Sequence, residues 1–152
     1  SKPQHIDIHN RKASFEYIIL DKYSCGIVLA GSEIKSIREN GCSINEAYCY
    51  FRSDELFVKS MNIPIYEKAT INNHDPMSVR KLLLKKRELE RIQIKVKERG
   101  VTIIPLRVFT SERGYLKMEI GLCRGKKSFD KRDSIKEKDN KRELDRVMKK
   151  YR

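Results

Sequence analysis

The last 28 residues, Gly125 to Arg152, hold almost nothing that can enter a hydrophobic core. From Arg124 to Arg152 there are 13 Lys and Arg against 6 Asp and Glu, a net +7. Whatever folds must therefore be built from the residues before this segment. The 152-residue chain is 39% hydrophobic and 36% charged, with no Trp. That supplies apolar material for one modest core and not for two. One domain with an appendage is the expected organisation: an N-terminal arm over 1–12, a folded body over 13–123 and a basic tail over 124–152.

Within the body, short β-rich runs alternate with turn signals. "SFEYIIL" (14–20) and "CGIVLAG" (25–31) read as strands, rich in β-branched and aromatic residues. "SEIKSIREN" (32–40) reads as a short helix, with Ser32 as cap, Ile34 and Ile37 as its apolar stripe and Gly41 as its stop. "AYCYF" (47–51) and "ELFVKS" (55–60) form a hairpin across "RSD". Residues 62–76 have no period and contain two prolines, which predicts a surface loop. A helical region is expected over 77–99, striped by Leu82, Leu83, Leu89, Ile92 and Val96 and interruptible near Lys85–Lys86. "VTIIPLRVF" (101–109) and "YLKMEIGLC" (115–123) pair across "TSERG", and Pro105 implies an edge or a bulge. About six strands, all able to pair antiparallel, suit an OB-fold-like closed barrel dominated by β-structure, with short helices inserted between strands. An open α+β sheet is the alternative.

Net charge is +13, and about half the excess lies in the tail, since residues 1–123 carry 21 basic and 15 acidic side chains. A surplus of this size and segregation favours a polyanionic partner through counterion release. Basic sites recur at "NRK" (10–12), at Lys35 and Arg38, in "RKLLLKKREL" (80–89), at Arg124–Lys127 and along the tail. Tyr17, Tyr48 and Phe129 are available to stack on bases, although Tyr17 and Tyr48 suit a core equally well. No P-loop, G-x-G-x-x-G or G-x-S-x-G is present, and His74 beside Asp75 reads as ordinary loop polarity, so no enzyme is expected. Cys25, Cys42, Cys49 and Cys123 form no C-x-x-C pair, and no histidine clusters with them. They read as small buried hydrophobes rather than metal ligands, and neither a metal nor a cofactor is expected. No apolar run is long enough to span a bilayer, and the first residues lack the apolar stretch of a secretion signal. A cytoplasmic protein is expected.

The tail has a pattern of its own. Leu144, Val147, Met148 and Tyr151 would share one helix face, and Glu137–Lys141 and Asp145–Lys149 stand four apart in the favourable order. So few apolar groups predict a segment disordered when free and helical when bound along a polyanion.

Four stretches, in order, resemble the SmpB (small protein B) family, the bacterial partners of transfer-messenger RNA (tmRNA): "NRKASFEYII", "CGIVLAGSEIKSIREN", "RKLLLKKREL" and "GKKSFDKRDSIKEKD". The resemblance implies an OB-fold barrel that binds the tRNA-like domain of tmRNA and delivers it to the A site of stalled ribosomes. The tail would enter the empty mRNA channel at the small-subunit decoding centre, against ribosomal RNA, allowing rescue and peptide tagging. No membrane or small-molecule substrate is implied.

Carried over position by position, the resemblance implies an RNA-facing set of Asn10, Arg11, Lys12, Tyr17, Glu33, Lys35, Arg38, Tyr48, Lys81, Leu83 and Lys117. The ribosome-facing set would be Gly125, Lys126, Lys127, Phe129, Asp130, Lys131 and Arg132, then Lys136, Lys138, Lys141 and Arg142. Phe129 stands where some members have His, which keeps a ring that stacks but not one that protonates. Ser24 stands where many relatives have Glu, and Lys85 where Asn is frequent; both changes favour nearby phosphate.

Overall fold

The computed structural model describes residues 5–69 and 72–126. In chain order the elements are β1 (Asp7–His9), α1 (Ala13–Glu16), β2 (Tyr17–Ile27), α2 (Gly31–Asn40), β3 (Tyr48–Arg52) and β4 (Glu55–Lys59). After these come β5 (Arg80–Leu83), α3 (Lys86–Val96), β6 (Val101–Thr110) and β7 (Leu116–Gly125). All pairings are antiparallel, and they return on themselves: β2, β5, β4, β3, β6 and β7 close into a six-stranded ring. The closed antiparallel, OB-like arrangement expected from the sequence is present, and the open sheet is not.

Alternation along the strands fills the interior. Leu56, Val58, Leu82, Met118, Ile120 and Leu122 point inward, where Ile37 of α2 and Ile92 of α3 join them, each almost completely buried. Phe51, Leu89 and Val96 pack against the same core. A smaller cluster forms elsewhere on β6 and β7, where Ala13 of α1 lies on Ile104, Leu106 and Cys123 with Tyr17 beside them.

The β3–β4 turn is Ser53–Asp54, both at positive φ (49° and 65°), the two-residue geometry whose twist matches the flanking strands. Pro105 marks a bulge: the β6–β7 register shifts between Pro105 and Arg107, so the missing N–H falls where the ladder is already irregular.

Four expectations are corrected. The runs at 14–20 and 25–31 are not two strands: residues 14–16 lie in α1 and Gly31 opens α2, while 17–27 form one long strand, β2, which a bulge between Ile19 and Asp21 carries through the charged stretch. The N-terminal arm is not wholly loose, since Asp7–His9 pair with Phe109–Arg107. The region 77–99 is a strand followed by a helix: Arg80 and Leu82 are buried and Lys81 and Leu83 are not, the alternation of a strand, and β5 pairs with β2 and β4. Finally, Ser32 does not cap α2. The helix begins at Gly31, and Glu33 Oε1 accepts from the Ala30 amide at 2.8 Å.

Cys25, Cys49 and Cys123 are buried, and none of the four cysteines is in a disulfide. Burial pushes the Cys25 and Cys42 thiols up to about 12 from an ordinary 9, although Lys117 and Arg80 respectively pull the other way. At pH 8 the native thiolate fraction of either is on the order of 1 in 10,000, so modification by a disulfide reagent should be far slower in the native protein than in urea. The sign for stability follows. The fold keeps protons that the unfolded chain releases above about pH 9, so stability is lost as pH rises from there towards about 12. Native thiols as reactive as denatured ones would contradict this burial.

Candidate RNA interface

Asn10 sits between β1 and α1 and is buried. Its Oδ1 accepts from the amides of Lys12 (3.1 Å) and Ala13 (3.2 Å). Its Nδ2 donates to the carbonyls of Ile44 (3.2 Å) and Pro105 (2.9 Å). Both donors and both acceptor sites are thus used inside the protein. Asn10 positions its neighbours: Arg11 and Lys12 follow with exposed side chains, the Arg11 amide donating to Asn45 Oδ1 at 3.1 Å and the Lys12 ammonium pairing with Glu46. Tyr17 is half-buried, and burial first, then the Glu16 carboxylate, pushes its phenol above 10. Tyr17 faces Gly125 in register, and Lys126 Nζ donates to the Ser14 carbonyl at 2.6 Å. Gly125 and Lys126 therefore share one end of the body with α1 and Tyr17. Lys127, Phe129, Asp130, Lys131, Arg132, Lys136, Lys138, Lys141 and Arg142 lie outside the described residues, as does the Leu144–Tyr151 stripe.

The α2 trio separates. Glu33 is buried and pairs with buried Arg80, whose Nη1 donates to the Met61 carbonyl at 2.7 Å and Nη2 to those of Asp75 (3.2 Å) and Pro76 (3.1 Å). This pair anchors α2 to the start of β5. Lys35 is exposed, with its ammonium 5.9 Å from the Tyr66 ring centre. Arg38 is half-buried and donates from Nη2 to the Gly114 carbonyl at 3.3 Å, linking α2 to the β6–β7 turn. His74 is a second fastening, with Nδ1 at 2.9 Å from Ser32 Oγ and Nε2 at 2.9 Å from the Ile63 carbonyl.

Lys81, Leu83 and Lys117 come together on the outside of the ring. Leu83 of β5 is opposite Gly26 of β2, which is opposite Lys117 of β7, so the three form one cross-strand row. Gly26 keeps the row flat, since a Cβ there would stand 3.3 Å from that of Leu83. A shallow depression of about 320 Å3 results, lined by Ser24, Leu83, Lys85, Glu88 and Lys117 among others. Ser24 and Lys85, which the sequence left without a role, thus sit beside two residues of the expected set. The Lys85 amide donates to Glu88 Oε1 at 3.1 Å, so this lysine is placed by the start of α3. Lys81 pairs with Glu55 at 2.6 Å, and Tyr48 is exposed on β3. Nothing in sequence spacing linked β2, β5 and β7; only their register does.

With Leu83 set between Lys85 and Lys117 on its outer wall, the molecule is a small, basic antiparallel ring of OB-like form. A family model described as SmpB protein matches residues 7–150, and the chain belongs to the SmpB family. It is 57% identical over 144 residues to the SsrA-binding protein of Cytophaga hutchinsonii, covering 95% of this chain and 94% of that one. It is 52% identical over 147 residues to the SsrA-binding protein of Christiangramia forsetii, covering 97% and 94%. Among solved structures, a chain from one described as "tmRNA-SmpB: a journey to the center of the bacterial ribosome" matches with a TM-score of 0.66 and 40% identity, over 82% of this chain and 85% of that one.

Proposed function

We propose that this chain is a tmRNA-binding adaptor of trans-translation. The carrying observation is the family match over residues 7–150, which takes in both the ring and the basic tail. In this reading the protein binds the tRNA-like domain of tmRNA and accompanies it to the A site of stalled ribosomes in the cytoplasm. Its tail occupies the empty mRNA channel. It performs no chemistry: its body offers cations and exposed apolar groups to RNA, and the peptide tag is encoded by its partner.

On the body, Lys117 contributes a phosphate contact and Leu83 an apolar one. Lys117→Ala should weaken RNA binding and reduce the slope of log K against log salt by about 1, with stability unchanged. An unchanged slope would remove Lys117 from the interface.

The reading as a whole is tested on sucrose gradients. The protein should sediment with ribosomes when truncated messages stall them and tmRNA is present, and scarcely otherwise. Constant stoichiometric residence on all ribosomes would instead make it a resident structural RNA binder.

A further inference from the structure

The adaptor reading gives RNA contacts to Tyr48 and Lys81 but leaves the rest of the outer face of the β3–β4 hairpin without a role. Cys49, Leu56 and Val58 are buried and Phe51 packs on the core, so Tyr48, Tyr50 and Phe57 stand on the opposite, outer side. Their rings form a ladder: the Tyr48 and Tyr50 centres are 6.3 Å apart, and those of Tyr50 and Phe57 6.0 Å. Register continues the row, with Tyr50 opposite Phe57 and Phe57 opposite Lys81. Tyr48 is 40% exposed, as is Leu83 (51%) at the other end of the face, where β5 runs level with Glu55 and Arg52.

Charge selects among partners for such a face. Around the ladder stand Arg52, Lys59 and Lys81 against two carboxylates: Glu55, paired with Lys81, and Asp54 in the turn, which accepts from Gln93 Nε2 at 2.8 Å. Arg52 and Lys59 make no ion pair among the described residues. Rings interleaved with unpaired cations match bases interleaved with phosphates. A strand presenting aromatic rings two residues apart offers successive bases separate platforms, which a base-paired duplex cannot use.

We infer that the outer face of β3, β4 and β5 is a stacking platform for unpaired nucleobases, with Tyr48, Tyr50 and Phe57 as the rings and Arg52 and Lys59 as the phosphate contacts. This deepens the adaptor reading and rests on it for the nature of the polyanion. Tyr50, Phe57, Arg52 and Lys59 are additions to the RNA-facing set, and unstacked loop or single-stranded RNA is the ligand class.

The test uses the full chain and an oligouridylate carrying one central 2-aminopurine, whose fluorescence falls when it stacks. The protein should quench it, and the same strand in a duplex should be bound without quenching. Tyr50→Leu and Phe57→Leu should each weaken binding about tenfold and abolish most of the quench. Tyr50→Phe, which keeps the ring, should bind and quench like the parent. Lys59→Ala should lower the salt slope by about 1 while leaving the quench of the bound state intact. Circular dichroism melts report the fold of each variant separately. No quench by the parent protein, or leucine variants that bind and quench like it, overturns the platform. Leucine variants that lose ribosome association while binding the oligonucleotide normally would also overturn it, by assigning the face to a protein. The probe contains no tRNA-like fold, so its result is independent of whether the chain prefers tmRNA.

Discussion

Replacing Arg80 by Leu is expected to cost the fold about 3–5 kcal/mol, the usual penalty for stripping one partner from a buried ion pair. The guanidinium reaches four groups: the Glu33 carboxylate and the carbonyls of Met61, Asp75 and Pro76. Without it, Glu33 keeps only the Ala30 amide at 2.8 Å among the described residues, and the buried Met61 carbonyl loses its guanidinium donor. Two connections fail together, because Glu33 holds α2 while the carbonyls belong to the long loop before β5. Urea unfolding would measure the loss. The double variant Glu33→Leu/Arg80→Leu should recover only part of it, since removing the carboxylate does nothing for the carbonyls. A loss below about 1 kcal/mol for Arg80→Leu would show that the pair is not holding the helix.

Removing residues 131–152 should abolish peptide tagging on ribosomes stalled at a truncated message. Binding to the tRNA-like domain should meanwhile change by less than about tenfold. The segment carries ten basic and five acidic residues, so some non-specific attraction goes with it. The positions that group on the folded body, Leu83, Lys117 and the Arg11–Lys12 corner, remain. An in vitro translation reaction with the truncated chain and tmRNA reads tagging, and a filter-binding titration reads affinity. Tagging that survives would refute the role given to the tail; affinity that collapses with it would place the main RNA contacts there instead of on the ring.

How much of this was legible in the sequence depends on whether a feature is local. The hairpins at 47–60 and 101–123 carry their turn residues with them, and Ser53–Asp54 and Gly114 sit where the chain turns. Leu82, Leu83 and Leu84 could not be assigned from pattern, since three adjacent leucines fit either a helix or a strand. Pairing with β2 and β4 decides it, and both partners are distant in sequence. Likewise Asp21 and Lys22 look like a break until a bulge carries them along a paired strand.

The site divides in the same way. Arg11, Lys12, Lys35 and Lys117 are cations with accessible side chains, as residue type suggests. Asn10 and Glu33 are polar residues that the fold uses internally, Glu33 with a partner 47 positions away. No single sequence signals such a pairing: a carboxylate in the first turn of a helix looks the same whether it caps, pairs or meets solvent.

The most direct test of the central claim is competition binding at physiological salt with the full-length protein. Labelled tRNA-like domain of tmRNA would be challenged with the unlabelled domain, ordinary tRNA and an unrelated RNA duplex. Salt is held constant because phosphate contacts alone make affinity steeply salt-dependent. Only the unlabelled tRNA-like domain should compete efficiently, with the other two needed in large excess. Equal competition by all three would leave a basic ring that binds any RNA and would contradict the adaptor assignment.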